Sequence, residues 1–268
     1  MDSLTWMIAT IGLAGLWLLA VIRHRRQVRR LAGDGDPRDG IVIFVEPVRW
    51  LFIIWGFLPF VRGLRRGGYN GQIRLFRWSK RAGALLVIPD LMRHERLLAK
   101  AARLARLIDS TVKEHPNIAI HLCGYSSGCY LVTEAVGLLG DTRPLGTVIL
   151  LLATVSPSYP LHDSVHRARA VHSFHSPLDC LINGLGPWVF GCNDRRRGLA
   201  AGMVGFRNPP AGLTQHAWSP RDLRLNYFGD HFTITSARFV AERIAPLLAG
   251  PPRHDRPCGD QPVSAAHP

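Results

Sequence analysis

Residues Ile118–Gly128 read Ile-Ala-Ile-His-Leu-Cys-Gly-Tyr-Ser-Ser-Gly, and a helical pattern runs on from Cys129 to Leu139. An apolar run rich in β-branched residues ends abruptly in Gly-x-Ser-x-Gly, the strand–tight turn–helix context in which that motif carries chemistry. A serine at such a turn is held in a strained backbone. Gly124 and Gly128 keep the neighbouring chain clear of it, so the Ser126 hydroxyl stands above the sheet edge. The N–H of Ser127, at the start of the following helix, faces the same space, where negative charge is stabilised.

Working outward, the flanking chain reads as alternating strands and helices. Upstream, Ile41–Glu46 is apolar as in a strand covered on both faces, and Pro47 ends it. Arg49–Arg66 predicts a helix with a very apolar front, interrupted at Gly56 and Pro59. The uncharged part, Trp50–Val61, is short for a second membrane span, so the expectation is a covering helix resting on a membrane surface with Arg62, Arg65 and Arg66 towards headgroups. Gln72–Trp78 alternates with period two and predicts a strand. The run 84–88 before Pro89-Asp90 is a further apolar segment. Arg93–Lys113 predicts a helix with Leu97, Ala101, Leu104, Ile108 and Val112 on one face. Downstream, Thr147–Leu152 and Ala170–His175 predict strands, 184–220 is irregular, either a substrate-facing flap or a surface excursion, and a last helix is expected near Ser236–Leu248. This order implies an α/β fold with a mostly parallel sheet flanked by helices.

The N-terminal segment is of another kind. Leu4–Ile22 is nineteen residues without a charge, followed at once by Arg23-His24-Arg25-Arg26-Gln27-Val28-Arg29-Arg30. As a helix it would extend roughly 28 Å, close to the thickness of a bilayer core. A cleaved signal would carry its positive charge ahead of the apolar run. The reading is therefore a single-span transmembrane anchor over residues 1–30, with the chain beyond it on the cytoplasmic side. Residues 31–40 read as a linker, 41–249 as the folded domain and the Pro-rich 250–268 as a disordered tail.

The 268 residues carry a formal charge of +14, almost all of the positive charge being arginine. No nucleic-acid motif accompanies it, so anionic lipid is the expected attraction and nucleic acid is not. The five cysteines form no Cys-x-x-Cys pair, and neither a metal site nor a nucleotide fingerprint is legible. Cys123 and Cys129 flank the turn as small hydrophobes.

Ser126 is followed by Asp179, in Ser176-Pro177-Leu178-Asp179 just past a strand, and by His231 in Gly229-Asp230-His231-Phe232 ahead of the last helix. In this order and these settings, residues 41–248 resemble the α/β-hydrolase superfamily. The resemblance implies Ser126 as nucleophile, His231 as general base and Asp179 as the acid that orients it, acting through an acyl-serine without a cofactor. Asp163 and Asp194 are rivals for the acid, and His175 and His216 for the base. Where the family has a glycine-rich stretch after its first strand, this chain has Glu46-Pro47-Val48. Pro47 has no N–H, which leaves Val48 N–H to join Ser127 N–H as oxyanion donors. Two functions follow as expectations. One is a membrane-anchored hydrolase of an ester or related acyl bond, taking an acyl or lipid-like substrate. The other is a weak or inactive relative that binds a lipid or protein partner at the membrane.

Overall fold

The computed structural model describes residues 3–48, 53–79, 94–140 and 144–248. The apolar run 84–88, the Pro89-Asp90 pair, the tail 250–268 and the first residues of the 49–66 helix lie outside them. The elements, in order, are α1 (Ser3–Leu31), β1 (Asp36–Val45), α2 (Phe57–Arg66), β2 (Gly71–Phe76), α3 (His94–Glu114), β3 (Ile120–Tyr125), α4 (Ser127–Gly137), β4 (Leu145–Leu151), α5 (His162–Arg167), β5 (Ala168–His175), α6 (Cys180–Phe190), α7 (Ala201–Val204), β6 (Leu213–Ala217) and α8 (237–248).

Six strands form one sheet in the order β2-β1-β3-β4-β5-β6, and every pairing is parallel. Strand alternation sorts the side chains onto two faces. Ile41, Ile43 and Val45 of β1 join Leu122 and Val148 under α3 and α4. Val42 and Phe44 join Cys123, Ile149 and Leu151 under α2, α8 and the end of α1. Both faces are covered, which is why the strands read as continuous apolar runs. The sheet order changes direction between β1 and β3: the chain leaves β1 for β2 on one side and β3 for β4 on the other. The crevice between their carboxyl ends is where ligands bind in open α/β sheets.

Several boundaries differ from the sequence reading. β1 starts at Asp36, inside the stretch read as linker, because Asp36 pairs with Gly71 ahead of the apolar register. The helix expected from Arg49 begins only at Phe57. Gly56 before it has φ 84, a left-handed conformation that halts helix propagation upstream. Pro59 falls in the first turn, where a missing N–H costs nothing. The expected contact of Arg65 with headgroups is overturned. Its guanidinium donates to the carbonyls of Tyr69 (2.6 Å), Gly71 (2.9 Å) and Asp34 (2.9 Å), pinning the turn into β2. The stretch 184–220 holds an edge strand, β6, that the sequence reading missed.

α1 is the one helix among the described residues long and apolar enough to cross a membrane. Its last turns are part of the fold: Val28 is buried against the α2 face.

Candidate active site

The turn after β3 has the strain the motif predicts. Ser126 has φ 55 and ψ −123, a conformation a non-glycine residue adopts only when its surroundings impose it. Here they do: Ser126 N–H donates to Leu151 O at 2.9 Å, and Cys129 N–H returns to Ser126 O at 3.0 Å. Both glycines are sterically required. A Cβ on Gly124 would lie 2.7 Å from Cys129 Cα, and one on Gly128 would lie 2.5 Å from the Val45 carbonyl oxygen. Gly124 thus lets α4 cross its own strand, and Gly128 lets α4 pack on the end of β1.

The three candidate residues meet. His231 Nε2 is 2.9 Å from Ser126 Oγ, and His231 Nδ1 is 2.6 Å from Asp179 Oδ2. All three are buried. β5 delivers Asp179 just past its carboxyl end, where Asp179 N–H donates to Ser176 O at 3.1 Å. His231 is held from behind. The Tyr125 hydroxyl donates to the His231 carbonyl, and the two rings stack at 5.5 Å. Burial, reinforced by the nearby Asp179, pushes the Tyr125 hydroxyl well above its ordinary pKa, so it stays a neutral donor. Asp230, next to the histidine, is a turn residue: it accepts from the N–H groups of Phe232 (2.7 Å) and Thr233 (3.0 Å).

None of the rivals takes part in these contacts, and His175, at the end of β5, leaves its buried Nδ1 without a hydrogen-bond partner. Asp194 accepts from Ser156 N–H at 3.0 Å. Asp163 lies in the first turn of α5. His216 pairs with His172 at 3.1 Å and stacks on Phe174.

Two further residues escaped the sequence reading. Asn183, fully buried on the first turn of α6, donates its amide to Asp179 Oδ2 (2.7 Å) and to Leu152 O (3.0 Å). With both amide protons so engaged, its oxygen must accept, and Thr154 Oγ1 donates to it at 3.0 Å. Thr154 Oγ1 also lies 3.2 Å from Ser126 Oγ. Four hydrogen bonds and this Ser126–Thr154 contact therefore close a ring through Ser126, Thr154, Asn183, Asp179 and His231. The one signal in sequence is the spacing of Asp179 and Asn183, four residues apart on a helical turn.

A cavity of about 750 Å³ opens on Ser126 and His231. Pro47, Val48, Ser127 and Thr154 line its inner end, and Trp55, Leu181, Leu185, Phe190 and Phe232 are among the apolar side chains of its walls, with Arg195 and Arg197 adding positive charge. Part of the irregular segment 184–220 therefore faces the site. Both expected oxyanion positions, Ser127 and Val48, border the space in front of the serine. The N–H of Ser127 is the first of α4 and has no acceptor within that helix. Among the described residues no cluster of histidine, cysteine and carboxylate groups is arranged to hold a metal ion.

A parallel sheet with the strained serine turn at its switch point, flanked by helices on both faces, is an α/β-hydrolase fold. No family model and no curated protein sequence matches the chain. Among solved structures it is similar to a cutinase of Trichoderma reesei bound to a phosphonate inhibitor (16% identity, 90% of this chain and 92% of that chain, TM-score 0.40). It is also similar to a lipase-esterase related protein of Clostridium acetobutylicum (12% identity, 81% and 98%, TM-score 0.46). A third is an α/β serine hydrolase without a lid from Xanthomonas campestris (12% identity, 82% and 89%, TM-score 0.44). These are likenesses of fold alone.

Proposed function

We propose that this chain is a membrane-anchored serine hydrolase that cleaves an ester or related acyl bond through an acyl-serine intermediate. The observation that carries the reading is His231, whose two ring nitrogens reach Ser126 Oγ at 2.9 Å and Asp179 Oδ2 at 2.6 Å. Asp179 accepts the Nδ1 proton and so leaves Nε2 as the free base. Ser126 Oγ attacks the acyl carbon as its proton passes to Nε2, and Asp179 stabilises the imidazolium. His231 then protonates the departing alkoxide, and the acyl-serine remains. Water attacks next, with the same histidine accepting its proton, and the acid is released as Ser126 recovers its own. The oxyanion is held by Ser127 N–H and Val48 N–H, the first being also at a helix N-terminus. The apolar walls suit an acyl chain, and α1 is the anchor.

A second reading has one feature in its favour. Pro47, beside the serine, cannot donate a hydrogen bond, and losing one oxyanion donor costs about 2.7–4 kcal/mol of transition-state stabilisation. A non-catalytic protein that binds a lipid or protein partner would have the same fold. A fluorophosphonate probe on membranes containing the full chain separates the two. The hydrolase reading expects labelling that Ser126→Ala abolishes; labelling that survives this change, or none in the wild type, sinks it.

A further inference from the structure

With α1 as the proposed anchor, its direction fixes which edge of the sheet faces the membrane. Near its end, Gly33 N–H donates to Ile73 O at 2.7 Å and Ile73 N–H to Asp34 O at 3.1 Å. This is the start of β2, at the amino edge of the sheet. Earlier in the helix, His24 Nε2 accepts the N–H of Ile54 at 3.1 Å, just ahead of the first turn of α2 and so near the carboxyl edge. α1 therefore descends beside α2 from the carboxyl edge to the amino edge. The part before His24 projects beyond the carboxyl edge, and only 6% of its apolar window is buried. That edge carries Ser126, Asp179 and His231.

The surface around the cavity mouth matches this placement. Trp55 follows Ile54, and its ring packs on Phe232 at 5.7 Å. With Ile22 as the last apolar residue of the span, His24 lies about 3 Å further along the helix axis, so the Trp55 wall sits at the level where the chain leaves the lipid. Across the mouth α6 presents Leu181 (67% exposed), Trp188 (62%) and Phe190 (52%). Large apolar side chains grouped around a cavity mouth mark a surface that meets another phase, and aromatic residues favour the bilayer interface. Arg23, Arg25 and Arg26 follow the span at headgroup depth, where anionic phosphates lie.

We propose that the cavity mouth is seated in the bilayer interface, with Trp55, Phe232, Leu181, Trp188 and Phe190 dipped into the acyl layer, and that the substrate is a membrane-resident long-chain acyl ester that enters from the leaflet without crossing water. The seating rests on α1 as the anchor and not on the hydrolase reading; the substrate half rests on both.

The test uses the full chain reconstituted in phosphatidylcholine–phosphatidylglycerol vesicles whose acyl chains carry bromine. Emission from Trp188 is taken as the difference between wild type and Trp188→Phe. It is expected to be quenched by the bromolipid and shielded from aqueous iodide. Emission open to iodide and untouched by bromine overturns the seating. In turnover assays Trp188→Glu is expected to slow hydrolysis of a vesicle-embedded long-chain ester about tenfold, because the interface rejects the charge. Trp188 does not line the cavity, so hydrolysis of a water-soluble short-chain ester stays at the wild-type rate, and Trp188→Phe behaves as wild type on both. An unchanged rate on vesicles, or an equal loss on both esters, overturns entry from the leaflet. A wild type that shows the quenching and hydrolyses neither ester overturns the substrate half together with the hydrolase reading, and leaves the seating established.

Discussion

Thr154→Val tests whether the hydroxyl beside the serine assists attack. Thr154 has one proton and two acceptors in reach, Asn183 Oδ1 at 3.0 Å and Ser126 Oγ at 3.2 Å. In the resting site Ser126 sends its own proton to His231, so Thr154 donates to Asn183. As Ser126 loses its proton and gains charge, the threonine proton is shared between it and Asn183 Oδ1, both already within reach. A hydrogen bond to a charged group contributes about 1.5–3 kcal/mol, and sharing the proton gives up about 0.5–1.5 kcal/mol of the neutral bond. The net gain of about 1–1.5 kcal/mol corresponds to roughly a tenfold faster acylation. Valine fills the same volume without the hydroxyl, so Thr154→Val should slow the fluorophosphonate reaction and acylation by about tenfold with KM little changed. It also leaves the buried Asn183 oxygen unpaired, a cost of about 1–3 kcal/mol in stability. Thr154→Ser keeps the hydroxyl and should recover both. Acylation by Thr154→Val at the wild-type rate, or an equal defect in Thr154→Ser, would falsify the reasoning.

Three further outcomes are expected. Asp179→Asn should cut ester turnover by about three to four orders of magnitude, since the imidazolium loses its counter-charge and the histidine its tautomer; a loss below about tenfold in a steady-state assay would remove Asp179 from the acid role. Gly128→Ala places a Cβ 2.5 Å from Val45 O and 3.0 Å from Glu46 O, backbone atoms that cannot step aside, and should lower stability by roughly 1–3 kcal/mol in thermal unfolding, whereas an unchanged melting point would show that α4 can retreat from β1. Burial, aided by Arg169, holds the His121 imidazole down at about 4, while unfolding returns it to about 6.5. The unfolded chain then binds a proton that the native chain refuses, so stability is complete above about pH 6.5 and declines as pH falls towards 4, by up to ~3 kcal/mol from this group. His121→Gln should flatten that decline, and an identical pH dependence in the variant would rule the histidine out as its source.

What was legible in the sequence and what was not divides along physical lines. The serine turn is local: two glycines and a strand end specify it, and the same local constraints reappear as the close approaches at Gly124 and Gly128. Asp179 and His231 are legible by their places after a strand end and before the last helix. Asn183 and Thr154 are not, because a buried asparagine in an irregular stretch looks like a surface loop residue until its three hydrogen bonds are seen. β6 escapes because an edge strand is covered on one side only, and Leu213-Thr214-Gln215-His216-Ala217 has no apolar run to announce it. The early start of β1 is set by pairing of Asp36 with Gly71, a contact between distant residues that no local pattern encodes.

The wall opposite the serine is built differently from the serine turn, and its construction bears on the oxyanion donors. Glycines after a first strand serve to let that strand's end come close to the serine turn. Here the close approach is made from the other side, since Gly128 on α4 admits Val45 O and Glu46 O. The strand end is then free to carry bulk, and it is clamped. Glu46 is fully buried, with its carboxylate accepting from Trp78 N–H at 3.1 Å and the Ser79 hydroxyl at 3.3 Å, and its carbonyl accepting the Trp78 indole N–H at 2.6 Å. A carboxylate taken out of water is tolerated only with such partners, and the partners fix the backbone that leads into Pro47 and Val48. Under the proposed mechanism a donor whose backbone is held in place before reaction is the kind that stabilises an oxyanion without reorganisation. Pro47 therefore removes one donor at a position where the next residue, following the hydrogen-bonded strand end and bordering the same cavity, carries another.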